Sequence, residues 1–142
     1  VILWRLCRRP HADLSGEGGR RVSGRWHSAG QAVVYAAAEP SLAVLEVRVN
    51  LDLPFDLLPE DYVMVAIEAP EDVAVEDLPT LPPAPHEAGD AWLRARRTAL
   101  LRVPSVVVPQ ARNVLLNPLH ADAAALRIAE ISPFAFDARL WS

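Results

Sequence analysis

There is no lysine in this chain: all fourteen basic residues are arginine. That excludes Schiff-base and pyridoxal chemistry, the phosphate-binding loop that needs Gly-Lys-Ser/Thr, and the kinase strand lysine. The one cysteine, Cys7, can form neither an internal disulfide nor a multi-cysteine zinc site. Four histidines, His11, His27, His86 and His120, stand singly with no His-x-x-x-His pair, and each fits a surface or hydrogen-bonded role better than that of a ligand, so no metal is expected. No GxSxG elbow occurs, and GEGG at 16–19 lacks the spacing and strand–helix context of a dinucleotide-binding turn. Triad and metal hydrolysis fall away. No apolar run approaches the roughly 20 residues of a membrane span, and no signal-peptide layout opens the chain. A cytoplasmic location without membrane contact is expected.

What remains is a chain of 142 residues, 51% apolar, enough for one domain, residues 1–142, around one sizeable core. The net charge of −4 is unevenly placed. Residues 1–38 carry six arginines against Asp13 and Glu17, residues 39–90 carry thirteen acids against Arg48 alone, and residues 91–142 carry seven arginines against three acids. A mildly acidic whole argues against direct nucleic-acid binding, which needs a contiguous basic face. The basic first segment suits one pyrophosphate, because arginine forks match phosphate oxygens. The acidic middle suits a basic partner protein.

The pattern predicts a strand over Ile2–Cys7, a glycine-rich loop over 15–24, and a second strand over Ala32–Ala37. Glu39-Pro40-Ser41 opens a helix to about Asn50, with Leu42, Leu45 and Val49 on one face and Glu46 on or beside it. Tyr62–Ala69 reads as a buried strand ended by Pro70. Residues 79–87, PTLPPAPHE, read as an irregular surface loop or flap. A helix is expected from Gly89-Asp90 to about Leu100, with Trp92, Ala95 and Ala99 as its inner stripe. A strand is expected over Val103–Val108, a turn over Asn113–Pro118, and a returning strand over Leu126–Phe136. Short strands interleaved with two helices make the fold α+β.

The densest cluster of chemistry lies between Gly18 and Val47, where Arg25 adjoins Trp26, Tyr35 follows, and Glu46 stands in an apolar run. A carboxylate there is costly unless it has a partner or a task. Arginine, aromatic ring and isolated carboxylate together suit a phosphorylated, cationic nucleotide. Splitting the nicotinamide–ribose bond of NAD needs no general acid, because the leaving group is already cationic. It needs electrostatic support for an oxocarbenium-like ribose and a rigid hold on the dinucleotide. Arg5, Arg25, Tyr35 and Glu46 supply those parts. Taken singly, the same residues have plainer readings. Arg25 fits a surface ion pair, Tyr35 a core residue with its hydroxyl at the rim, and Ser105 a strand-end hydrogen bonder. Asn113 and Asn117 fit turn formers, and Trp26 and Trp92 fit core anchors.

Six segments together resemble a known family: WRL at 4–6, SGEGGRRVSGRWHSAG at 15–30, VVY at 33–35, LAVLE at 42–46, GDAWL at 89–93, and VPSVVVP with NVLLNP across 103–118. In that order they resemble the RES-domain toxins of RES–Xre toxin–antitoxin modules, and are similar to the ParT-type members among them. The resemblance implies an ADP-ribosyltransferase-like fold, a compact domain of mostly antiparallel strands in a split sheet with a few helices. It implies NAD as co-substrate, an Xre-like antitoxin covering the active site, and ADP-ribose transfer to a target protein. The alternative within the family is degradation of NAD with water or phosphate as acceptor, and outside it a non-enzymatic nucleotide sensor or docking module. Carried over by residue, the resemblance makes Glu46, Arg25 and Tyr35 the catalytic set. Arg5 would contact ribose, Arg25 anchor the dinucleotide, Tyr35 meet nicotinamide, and Ser105 bond substrate or orient Glu46. His27 stands where the family pattern has asparagine after GRW, which leaves its role open.

Overall fold

The computed structural model describes residues 1–141. Seven strands form one sheet in the order β4-β5-β6-β2-β1-β3-β7, with β1 Ile2–Arg8, β2 Val34–Ala37, β3 Tyr62–Glu68, β4 Val75–Asp77, β5 Leu100–Pro104, β6 Arg112–Leu116 and β7 Arg127–Pro133. All neighbours are antiparallel except β4 and β5. Three helices accompany them: α1 Glu17–Arg21, α2 Pro40–Arg48 and α3 Pro85–Ala95. The architecture is the expected α+β domain built on a mostly antiparallel sheet.

The join between β1 and β2 is thin. They pair only through Trp4 and Ala37, whereas β1 and β3 pair along seven residues and β2 and β6 along four. The sheet is thereby two wings, β4-β5-β6-β2 and β1-β3-β7, held at one seam. The alternation of strand side chains decides what each face buries. Leu3, Val34, Ala36, Val63, Val65, Val114 and Leu116 join one cluster. The opposite side is divided. Trp26, Val33, Trp92, Leu93, Leu101, Val103 and Leu115 pack under α3, while Leu6, Ala37, Leu42, Ala43, Tyr62 and Phe136 pack under α2 and the chain's end. A gap between two half-cores is the consequence.

Several expectations need correction. α3 begins at Pro85, not Gly89, and ends at Ala95. Proline's missing N–H costs nothing in the first turn, so the Pro-rich loop stops at Ala84. Trp92 is buried, but Ala95 is exposed and Ala99 lies beyond the helix. The strand expected over Val103–Val108 is Leu100–Pro104: Leu100 and Leu101 belong to the sheet, and after Pro104 the chain turns. The turn expected over Asn113–Pro118 is mostly β6, because pairing on both sides outweighs the turn preference of asparagine. On α2, Leu42 is buried but Val49 is 57% exposed. Ala43, Glu46 and Val47 of the helix line the gap instead, at the i, i+3, i+4 spacing of a single face, and Asn50 in the turn that follows joins them.

Candidate active site

The gap is a cleft of about 1120 Å³. Its wall includes Trp4 and Arg5 of β1, Tyr35 and Ala37 of β2, Glu46 of α2, Asn113 of β6, and the loop 23–29 carrying Arg25. A second lobe of about 550 Å³ shares Arg5, Gly24, His27 and Tyr35 with it and runs under α1. Four of the five sequence-predicted residues, Arg5, Arg25, Tyr35 and Glu46, therefore meet at one cleft. Glu46 is the one acidic side chain on the wall of the larger lobe among the described residues.

Each is held differently. Glu46 is half-buried and accepts a hydrogen bond from Asn113 Nδ2; it has no salt bridge among the described residues. Arg5 borders both lobes. Among the described residues its one hydrogen bond is a long one, 3.4 Å, donated to the His11 carbonyl, and its buried Nε has no partner there. A buried guanidinium nitrogen in that condition calls for an acceptor. Arg25 is exposed at the mouth, with no carboxylate within salt-bridge distance among the described residues.

Tyr35 is fixed by a partner whose role the sequence left open. His27 is 2% exposed. Its Nε2 lies 2.9 Å from both the Gly19 and the Val22 carbonyl oxygens. Two acceptors require the hydrogen to be on Nε2, so in the neutral ring Nδ1 is an acceptor. The Tyr35 hydroxyl, 2.6 Å away, donates to it and accepts from the Trp26 backbone N–H at 3.1 Å. Burial pushes the Tyr35 hydroxyl up to about 12, above the ordinary tyrosine value, despite the Trp26 N–H that favours the anion. Tyr35 is thus neutral and its hydroxyl is engaged in the protein, which leaves the ring as its main offering to the cleft. Gly24 permits this approach: a Cβ there would stand 2.7 Å from the Tyr35 oxygen.

The loop bearing Arg25 is clamped to α3. Ser28 donates to Asp90 from its backbone N–H at 2.9 Å and from its hydroxyl at 2.6 Å. Burial alone would raise the Asp90 carboxyl, but these two bonds, together with the nearby Arg94 and His27, outweigh it and hold the group below the usual carboxylate range. Beside it, Gly89 lies so close under Trp26 that no side chain fits between them. Asp90, His27 and Asn113 are the supporting residues that sequence reasoning missed. For Asp90 a signal existed: an acid in the interior of GDAWL, flanked by buried Trp92 and Leu93, is costly to bury unless paired.

Ser105 is not brought to the cleft wall. It is buried, and its hydroxyl accepts the Val108 N–H at 3.0 Å, closing the turn after β5. Pro104, Val106 and Val107 on either side line the mouth instead. No group of three or more His, Cys, Asp or Glu side chains that could hold a metal occurs among the described residues, and none of their helices is long and apolar enough to cross a membrane.

Comparison with known proteins gives a consistent picture. A family model described as the RES domain matches residues 2–137. The chain is 40% identical to the protein named Toxin Res of Pseudomonas putida, across 99% of this chain and 100% of that protein. It is 37% identical to the Prs ADP-ribosylating toxin of a Sphingobium species, across 90% of this chain and 86% of the relative. Among solved structures, the M. tuberculosis MbcT–MbcA toxin–antitoxin complex contains a chain of similar fold, with a TM-score of 0.74 at 19% identity, covering 94% of this chain and 84% of the other.

Proposed function

The chain belongs to the RES-domain family, and from that premise we propose that it is the toxin of a toxin–antitoxin pair, cleaving NAD at the nicotinamide–ribose bond and transferring ADP-ribose to a target protein. One observation carries the reading. On the larger lobe of the cleft, Glu46 is the one carboxylate among the described residues, and Arg5, Arg25 and Tyr35 share its wall. A reaction needing an acid and a base would call for a second carboxylate or an equivalent group. This one does not. The C1′–N bond breaks with its electron pair passing to the nicotinamide nitrogen, which cancels that ring's charge without a proton.

Positive charge then gathers on the ribose, and Glu46 stabilises it while accepting hydrogen bonds from the ribose hydroxyls. The Tyr35 ring offers a flat apolar face to nicotinamide. Arg5, with its unpaired buried Nε, and Arg25 supply donors for the pyrophosphate. The acceptor's nucleophile bonds to C1′ and gives up its proton to solvent. The name of the Sphingobium relative favours a protein as acceptor. The M. tuberculosis complex supports an antitoxin partner, which in our reading is Xre-like and covers the cleft.

The test is purified protein, freed of antitoxin, with labelled NAD, with and without cell lysate, beside Glu46→Gln. Expected are nicotinamide release, label on a discrete lysate protein, and a fall in kcat of about 10²–10³ in the variant with KM little changed. Nicotinamide release with all ADP-ribose left in solution would replace transfer by NAD degradation. Near-normal turnover by Glu46→Gln would overturn the site.

A further inference from the structure

Resting on that reading of Glu46, we propose that Asn113 is the positioning residue that holds the Glu46 carboxylate in its working orientation. Glu46 is carried on a helix whose other cleft-lining side chains, Ala43 and Val47, are apolar, and Asn50 just past its end does not bind the carboxylate. Asn50 donates instead to the Glu46 backbone carbonyl, at 2.8 Å. Left to itself, a glutamate at a cleft wall would sample several rotamers. The bond from Asn113 Nδ2 to Glu46 Oε2 is the one hydrogen bond made to that carboxylate among the described residues.

The donor is itself rigidly placed. Asn113 lies in β6 opposite Ala37 of β2 on one side and Val103 of β5 on the other, so its backbone is fixed by ladders in both directions. Strand alternation puts it on the face of Leu115, the cleft side, while its neighbour Arg112 is turned away to Asp77 and the Leu78 carbonyl. Chemically, an amide differs from the arginines available nearby. It donates one bond without cancelling the carboxylate's charge and engages one oxygen, leaving Oε1 to accept from substrate. An arginine fork would occupy both oxygens and neutralise the group whose charge the reaction uses.

The other titratable or charged groups on the same cleft wall are Arg5 and Cys7 from β1, Arg25 and His27 from the loop, Tyr35 from β2, and His86 from α3. None is hydrogen-bonded to Glu46: His27 and Tyr35 are bonded to each other, and Arg5 donates to the His11 carbonyl.

Two variants of the full chain test the assignment. Asn113→Ala removes the donor and should lower kcat for nicotinamide release by about 10–100-fold, with KM within about threefold and the melting temperature little changed. Asn113→Asp keeps the shape and exchanges the donor for a carboxyl. Two carboxyls in contact retain one shared proton to a higher pH than either would alone. While that proton is present the substituted carboxyl donates to Glu46 as the amide does. Once it is lost, two anions repel and Glu46 is displaced. Asn113→Asp should therefore resemble Asn113→Ala at pH 8 and, measured against the natural chain at each pH, recover at least about fivefold toward pH 5.5. Asn113→Ala should show no such recovery.

A residue that only stabilised the sheet would lower the melting temperature and leave the relative pH profile flat. If Asn113→Ala fails to fold, the near-isosteric Asn113→Asp carries the test alone. Normal kcat in Asn113→Ala, or no relative recovery of Asn113→Asp on acidification, overturns the assignment. Absence of nicotinamide release from the natural chain would instead overturn the NAD reading, and this inference with it.

Discussion

Replacing Gly89 with alanine sets two effects of opposite sign against each other, and the structure says which wins. Gly89 lies inside α3, where exchanging glycine for alanine normally stabilises by about 0.8–1 kcal/mol. A Cβ at this position, however, would overlap the Trp26 carbonyl oxygen and stand 2.7 Å from its carbonyl carbon. Ordinary contact begins near 3.4 Å, so the carbonyl carbon alone asks for a separation of roughly 0.7 Å, and the overlapping oxygen for more than that. Both partners are backbone, so no side-chain rotation relieves the clash. Trp26 is 3% exposed and packed with Trp92 and Leu101, so the strain spreads into a closed half-core. Overpacking of this kind costs about 1–3 kcal/mol, more where only backbone can yield. With the cost in the upper part of that range, the net loss should be about 1–2 kcal/mol, or about 3–7 °C in melting temperature for a chain of this length. Because Trp26 adjoins Arg25 and donates its backbone N–H to the Tyr35 hydroxyl, the KM for NAD should rise as well. Gly18→Ala is the internal control: it is also helical, but nothing lies within 4 Å of its Cβ. That variant should lose nothing and gain up to about 1 kcal/mol. Thermal unfolding of both, with NAD kinetics, decides the matter. A melting temperature for Gly89→Ala at or above the natural one would refute the close approach of α3 and the Arg25 loop.

Two further outcomes follow from the groups that hold that loop. Asp90→Ala removes both bonds from Ser28 and leaves their donors without a partner, which should cost about 2–4 kcal/mol and raise the KM for NAD. Since the Asp90 carboxyl titrates below its usual range when folded, its contribution is complete above the unfolded value of about 4 and is lost as pH falls through the lower folded value. Stability measured against pH should accordingly fall less steeply on the acid side in Asp90→Ala, and an unchanged acid limb would count against the clamp. Tyr35 has the opposite sign. Its folded value of about 12 stands above the unfolded value of about 10, so its contribution is complete below about pH 10 and is lost through about pH 12. Alkaline unfolding over that window should be shallower in Tyr35→Phe, while nicotinamide release should show no loss traceable to Tyr35 ionisation below about pH 11.

Local signals were legible where a short segment decides its own structure. Pro40 after an acidic residue opens α2 as expected, and the alternation of β1 and the apolar run of β3 identify strands that the sheet then pairs along seven residues. The misread elements share another cause. The prolines before Pro85 suggest an irregular loop, yet in a first helical turn that residue is neutral. Asparagine at 113 suggests a turn, yet strands on both sides hold it extended. Such outcomes depend on partners 76 and 10 residues away along the chain, Ala37 and Val103, and no window of local sequence contains both.

The residues of the candidate site divide in the same way. Glu46, Arg25, Tyr35 and Arg5 could be singled out because each is a costly or chemically pointed residue in its own setting. Their supports could not, because a support is defined by a pairing. His27 beside GRW has no distinctive local signature; its role exists only because the Gly19 and Val22 carbonyls turn back to take its Nε2 hydrogen and thereby orient Nδ1 toward Tyr35. Ser105 shows the converse. A serine after proline with the family's spacing suggests a substrate contact, but Ser105 is buried off the cleft wall, its oxygen accepting the Val108 N–H. A polar side chain near a cleft is available for chemistry only if the backbone around it has not already claimed it. That test favours Arg5, whose buried Nε has no acceptor, over Ser105, whose hydroxyl has a backbone donor. Among the described residues Arg112 Nε is buried without a partner too, but its guanidinium is held by Asp77 away from the cleft; an unclaimed donor suits an anionic ligand where, as at Arg5, it also stands on the cleft wall.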